Sequence, residues 1–287
     1  MKQIETLTAD VYELVDKGLT DAQREAAADI FSQFGENMAT MLRRQVTPYT
    51  RKARNISFSA LGYGTRRLYY QYNGMASEPF TAQTKMKFML GNIVEEIMLS
   101  LAKLAGHAVT QEQTRIEYRG ITGYCDAVID GHMVDVKSAA SFSFEKIKKG
   151  LDDSNDLFGY RMQLAGYTKG MPNDADQNVS YLWVMDKQLG KIHAARFDMS
   201  TMPNVDEKID EVNAMYKMTE PPERCYDLVP EGKAGNMKLP IGCSYCPFKK
   251  DCYSDANDGK GLRTFLYYKG PVDFAVIEKE PNVQELK

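Results

Sequence analysis

Asp126, Asp135 and Lys137 are residues whose types and spacing could do chemistry together. Between them, Asp130-Gly131 is a strong two-residue hairpin turn joining two apolar runs. Such a turn sets Ile129 against His132, Val128 against Met133, Ala127 against Val134 and Asp126 against Asp135. The two carboxylates are then expected ~5 Å apart across the strands. Side chains alternate along a strand, so Lys137 shares the face of Asp135. Opposed carboxylates repel in a bare sheet, and a hard divalent cation such as Mg²⁺, which takes carboxylate oxygens, removes that repulsion. Two carboxylates and a lysine on one face form a constellation for metal-assisted hydrolysis, with the lysine positioning or activating water. An exposed polar face with one lysine ion pair is the other reading of the same residues.

A second group is made of cysteines. Of Cys125, Cys225, Cys243, Cys246 and Cys252, four fall within 28 residues near the C-terminus. An odd count, in a chain expected to lack a leader, argues against a disulfide framework. The spacing C-x₂-C-x₅-C over Cys243–Cys252 lacks the paired C-x₂-C knuckles of a zinc ribbon. Three close cysteines with a remote fourth suit a [4Fe–4S] cluster on four thiolates. Structural Zn²⁺ in the same thiolates is the alternative.

The elements that must position these residues can be read from periodicity. Two N-terminal helices are expected, the second opened by the capping box Thr20-Asp21-Ala22-Gln23 and continuing to about Arg44. Leu90, Ile93, Val94, Ile97, Leu101 and Leu104 mark a helix over about 82–105, stopped at Gly106. Strands follow at about 114–118, 121–129 and 132–137, then helices at 144–150 and 156–169. A strand pair at 179–186 and 191–197 leads into a helix over about 205–217. Beyond Pro221-Pro222 the composition shifts to Gly, Pro, Cys and Lys, as expected for a small loop-rich module held by its cysteines. The expected organisation is α/β: a helical region at 1–55, a core at 56–219 and a cysteine module with a tail at 220–287.

Composition narrows the function classes. The chain has 287 residues, 43% hydrophobic and 26% charged, enough for one large domain or two modest ones with a real core. No apolar h-region opens it and no run of ~18 apolar residues occurs, so a soluble, cytoplasmic protein without membrane contact is expected. The net charge of −3 excludes a generally basic nucleic-acid coat. Its distribution is uneven, however. From Asn37 to Ser77 there is no acidic residue, while Arg43, Arg44, Arg51, Lys52, Arg54, Arg66 and Arg67 are interleaved with Tyr49, Tyr63, Tyr69, Tyr70 and Tyr72. Guanidinium groups among aromatic faces suit a phosphate backbone and unstacked bases; a solvated positive face would have the same composition. Gly62-x-Gly64 is followed by arginine at 67, so it is no dinucleotide fingerprint. His107, His132 and His193 are scattered and read as structural or surface residues, and Trp183 as core.

Gly123-Tyr124-Cys125-Asp126 followed by Asp135-Val136-Lys137 resembles the G-x-x-D…D-x-K core of the PD-(D/E)XK nuclease superfamily. Gln163-Leu164-Ala165-Gly166-Tyr167 resembles the Q-x-x-x-Y motif of its RecB-like branch, and Gly91-Asn92-Ile93-Val94-Glu95 the upstream G-x-x-x-(H/E) helix. Cys243–Cys252 is similar to the C-terminal cysteines of the iron–sulfur members of that branch. The four nuclease motifs and the cysteines lie in the family's order, across about residues 57–252.

The resemblance implies a restriction-endonuclease-like core, a central mixed sheet flanked by helices. It implies a Mg²⁺- or Mn²⁺-dependent deoxyribonuclease, an exonuclease acting at DNA ends or on single strands. Glu95, Asp126, Asp135 and the Val136 backbone carbonyl would hold the metal, Lys137 would orient or deprotonate water, and Gln163 and Tyr167 would line the DNA path beside the active site; from the basic window, Arg66 and Arg67 are the expected phosphate contacts. In the family the remaining cysteine lies upstream, in a segment similar to Ser59–Arg67, where this chain has glycine. Cys225 is then the expected substitute, because Cys125 belongs to the hairpin. A non-catalytic nucleic-acid-binding protein with a structural metal module is the alternative.

Overall fold

The computed structural model describes residues 2–47, 55–77 and 79–286. Tyr49, Arg51, Lys52 and Arg54 of the basic window lie outside them. The chain packs as two compact units, residues 1–62 with 80–209 and residues 63–79 with 210–287. The segment Tyr63–Pro79, which carries Arg66 and Arg67, therefore packs with the C-terminal unit.

The first unit is built on a mixed five-stranded sheet. Its strands are β1 (Val109–Thr110), β4 (Ala127–Ile129), β5 (His132–Ala139), β6 (Val179–Asp186) and β7 (Ile192–Asp198), in the order β1-β4-β5-β6-β7. Strand β5 runs parallel to β6, and the other neighbours are antiparallel. The parallel pair needs a crossover, supplied by the helices Ser141–Lys149 and Tyr160–Gly170. On the N-terminal side lie Leu7–Lys17, Asp21–Ala26 and Ala28–Val46, and then the long helix Ala82–Leu104. The Thr20 capping box forms in full, with the Gln23 amide donating to Thr20 Oγ1 and the Thr20 amide to Gln23 Oε1.

Apolar periodicity explains how these elements close on one another. Ile4, Leu7 and Val11 meet Val94, Met98, Leu99 and Ala102 of the long helix over Ala127, Ile129, Val134, Val136, Tyr181 and Trp183 of the sheet. Each large aliphatic side chain buried there contributes about 1.5–3 kcal/mol of transfer free energy. His107, fully buried, joins the same region, with Nδ1 2.6 Å from Asp130 Oδ2 and Nε2 3.1 Å from Asp10 Oδ2.

One expected strand is two. The run 121–129 splits into β3 (Ile121–Tyr124), which pairs with β2 (Arg115–Tyr118) in a separate ribbon, and β4, which joins the central sheet. The break falls at Cys125-Asp126, where the backbone turns to other partners: the Cys125 amide donates to the Thr114 carbonyl and the Gln113 amide to the Asp126 carbonyl.

The second unit contains a sheet where the composition suggested loops. Strands β8 (Val229–Glu231), β9 (Asn236–Lys238), β10 (Arg263–Tyr267), β11 (Gly270–Val276) and β12 (Glu285–Leu286) form an antiparallel sheet in the order β12-β10-β11-β9-β8. Short strands separated by Gly and Lys mask that alternation in the sequence. Leu239, Cys243, Tyr253, Ala256 and Ala275 form a small core of their own. No helix among the described residues is long and apolar enough to cross a membrane.

Candidate functional site

The hairpin takes the register that its turn dictates: Ile129 pairs with His132, Val128 with Met133 and Ala127 with Val134. Asp130 and Gly131 both have positive φ, 49° and 84°, as a type I′ turn requires. Regular pairing ends one residue before the aspartates. Asp126 leaves the strand, and its carboxylate accepts the Val136 amide at 2.7 Å. This side-chain bond replaces a backbone pair and anchors Asp126 beside β5.

Asp135 is buried, 1% exposed, and Lys137 Nζ lies 2.6 Å from its Oδ2. Neither carboxylate oxygen of Asp135 receives a well-directed hydrogen bond, so the lysine ammonium is its main compensation. The Tyr160 ring lies 5.4 Å from Lys137 Nζ. Glu95 comes from the long helix, half-buried, and accepts a hydrogen bond from Gln113 Nε2 at 2.6 Å. The four groups sense one another electrostatically. Burial, then the charges of Asp135 and Glu96, push the Glu95 carboxyl up to about 7, against the pull of Lys137. Burial, then Asp135 and Glu95, raise Asp126 well above the ordinary carboxylate range. Asp135 is raised by burial, with Lys137 opposing. Burial pulls Lys137 down, but Asp135 and Asp126 outweigh it and hold the ammonium above its usual range. Lys137 is thus a cation at neutral pH.

Gln163 and Tyr167 are buried on one face of the helix Tyr160–Gly170, with Gln163 Nε2 donating to Tyr167 Oη at 3.2 Å. The phenol lies within electrostatic reach of Asp135, Asp126 and Lys137. Its ring meets Phe58 edge-on, centroids 5.4 Å apart. Gly123 has a physical reason here, since a Cβ would stand 3.0 Å from Tyr167 Cε1 and 3.1 Å from Phe58 Cδ2. Gln113 and Tyr160 are the contributors that sequence reasoning missed. Tyr160 lies three residues before Gln163, so helical spacing could have found it. Gln113 sits in an irregular turn at φ 47° and carries no local signal.

Arg66 and Arg67 belong to the second unit. Arg66 donates to the Pro222 carbonyl at 2.6 Å and to Tyr70 Oη at 3.1 Å. The Arg67 guanidinium lies 3.4 Å from the centre of the Tyr63 ring, and its Nε is buried without a partner. All five cysteines are unpaired. Cys225, Cys243, Cys246 and Cys252 sense one another's charge, whereas Cys125 lies in the first unit and donates to the Gln111 carbonyl. Burial pushes the Cys243 thiol up to about 11 and raises that of Cys246. Among the described residues, no three His, Cys, Asp or Glu side chains already surround one ready-made cation position.

No family model matches the chain, and no curated protein matches it. Several solved structures are distantly similar, two of them as follows. The crystal structure of SSO0001 has 16% identity and a TM-score of 0.41, covering 75% of this chain and 93% of that one. A phage-related exonuclease from Haemophilus somnus 129PT has 18% identity and a TM-score of 0.33, covering 57% of this chain and 90% of that one.

Proposed function

We propose that the first unit is a metal-dependent deoxyribonuclease that hydrolyses phosphodiester bonds at DNA ends or in single strands. The observation that carries this reading is Asp135. It is a buried carboxylate whose Oδ2 meets Lys137 and whose Oδ1 receives no hydrogen bond, set beside two further carboxyls whose protons it helps to retain. Such a group is costly unless a cation compensates it. The donor set of Glu95, Asp126, Asp135 and the Val136 carbonyl is all oxygen, which fits Mg²⁺ or Mn²⁺. When bound there, the metal supplies Lewis-acid stabilisation of charge developing on the phosphate.

The chain's own residues do the rest. Gln113 fixes the rotamer of Glu95, and the Val136 amide fixes Asp126. Lys137 closes on Asp135, so this ion pair must open before the carboxylate can turn to another cation. Lys137, freed from Asp135, would orient or deprotonate the attacking water. Gln163 and Tyr167 support the acidic cluster, with DNA passing beside them. Arg66 and Arg67 add positive charge that favours a polyanion.

The second unit would carry a [4Fe–4S] cluster on Cys225, Cys243, Cys246 and Cys252, with structural Zn²⁺ as the other outcome. The mutual proximity of these four thiols, apart from Cys125, supports the assignment. When bound, such a group cross-links the segments that carry the cysteines.

The test is a digestion series on end-labelled linear, circular and single-stranded DNA with Mg²⁺ or Mn²⁺. Cleavage by the wild type and none by D135N is expected. DNA binding with no cleavage under any condition would make this a nucleic-acid-binding protein without catalysis.

A further inference from the structure

Residues 64 and 225 compete for one position. An ideal Cβ on Gly64 would lie 2.5 Å from Cys225 Cβ and would also overlap its Sγ. Real side chains do not tolerate such a contact. The backbone does not ask for glycine here. Gly64 caps the helix Thr65–Tyr72 at φ −63°, ψ 146°, a conformation open to every residue. What excludes a side chain at 64 is Cys225.

The surroundings turn that coincidence into a site. Arg66 and Arg67, within the first turn of the same helix, lie in electrostatic reach of Cys252 and Cys246 respectively. Two guanidiniums therefore face the cysteine group from the segment that begins at Gly64, and thiolates are the anions they would balance. On the other side, the Tyr226 ring stands 2.8 Å from the position a Cβ on Gly242 would take, immediately before Cys243. The dipeptide Cys225-Tyr226 is thus accommodated by the missing side chains of residues 64 and 242.

We propose that Cys225 supplies the fourth thiolate of the metal centre from the very position that a side chain at 64 would occupy, so that either chain segment can furnish this ligand but never both. The inference rests on the four-thiolate reading above and specifies which atoms fill its fourth corner. Ligation needs no oxidant or reductant from the protein: each thiol loses a proton to solvent as its sulfur takes the metal.

The experiment uses the full chain, purified without oxygen and reconstituted with iron and sulfide or with Zn²⁺, reading metal and sulfide per chain. Four variants are compared: wild type, C225S, G64A and the exchange G64C/C225G. Glycine at 225 removes both atoms that a side chain at 64 would meet. C225S and G64A are expected to bind metal at least about tenfold more weakly, and the exchange to regain wild-type stoichiometry. In metal-free G64A, Cys225 should alkylate faster than in the wild type, because the new methyl evicts its side chain; this readout needs no bound metal. A wild type that takes up no iron or zinc would sink the four-thiolate reading itself. A loaded wild type with equally loaded C225S would remove Cys225 from the ligand set and the shared position with it, whereas a loaded wild type with an exchange variant that resists protease yet stays empty would overturn the shared position alone.

Discussion

Lys137 Nζ lies 2.6 Å from Asp135 Oδ2, two residues away on the same face of β5. The contact joins the ammonium of the cluster to its most buried acid, and it gives the two residues unequal effects on stability and equal effects on cleavage. K137M leaves buried carboxyls without a counter-charge and should destabilise the metal-free protein by roughly 3 kcal/mol. D135N removes an acid from a crowded group and should cost clearly less. Both should abolish cleavage. Chemical denaturation of the two variants beside a digestion assay checks this; a K137M protein that melts like the wild type would remove the ion pair from the argument.

The retained proton of Glu95 gives the metal-free protein a pH signature. Burial raises its folded pKa to about 7, above the ordinary glutamate value of 4.5. The group therefore contributes stability that is complete below the unfolded pKa and lost as pH rises through the folded one. Melting should be higher near pH 5 than near pH 8 by an amount equivalent to about 1–3 kcal/mol, and E95Q should flatten that slope. Mg²⁺ should raise the melting temperature mainly at the alkaline end, because it competes with the protons.

Gln113 holds Glu95 from outside any regular element. Q113A should leave the fold intact and raise the metal concentration needed for half-maximal cleavage by about tenfold, as loss of an outer-shell partner does. A metal titration of activity decides it. An unchanged midpoint would make Gln113 a bystander.

Gly123 admits the Tyr167 and Phe58 rings. G123A should cost about 1–3 kcal/mol through overpacking, and Y167A in the same chain should recover part of that loss because it opens the space. Thermal melts of the single and double variants report the coupling.

For the basic window, R66A/R67A should reduce the dependence of DNA binding on salt, since fewer counterions are released. An unchanged slope measured by titration at several salt concentrations would assign both arginines wholly to the cysteine side of their unit.

The sequence by itself determined what local rules govern. Asp130-Gly131 must turn with positive φ, and alternation along the returning strand puts Lys137 on the face of Asp135, whereas Asp126, expected opposite Asp135, lies beyond the paired residues and is held by the Val136 amide. Apolar spacing placed the helix that carries Glu95, and a four-residue interval put Gln163 and Tyr167 on one side of another. The tertiary structure decided everything that joins residues distant in the chain. The strand 121–129 divides at Cys125-Asp126 because partners elsewhere take its backbone groups, and no propensity of those two residues records it. Tyr63–Pro79 packs with the C-terminal unit. Gly64 and Cys225, 161 positions apart in the sequence, claim the same few cubic ångströms. Propensity and periodicity act over a few residues, whereas exclusion of one side chain by another depends on where the folded backbone brings them.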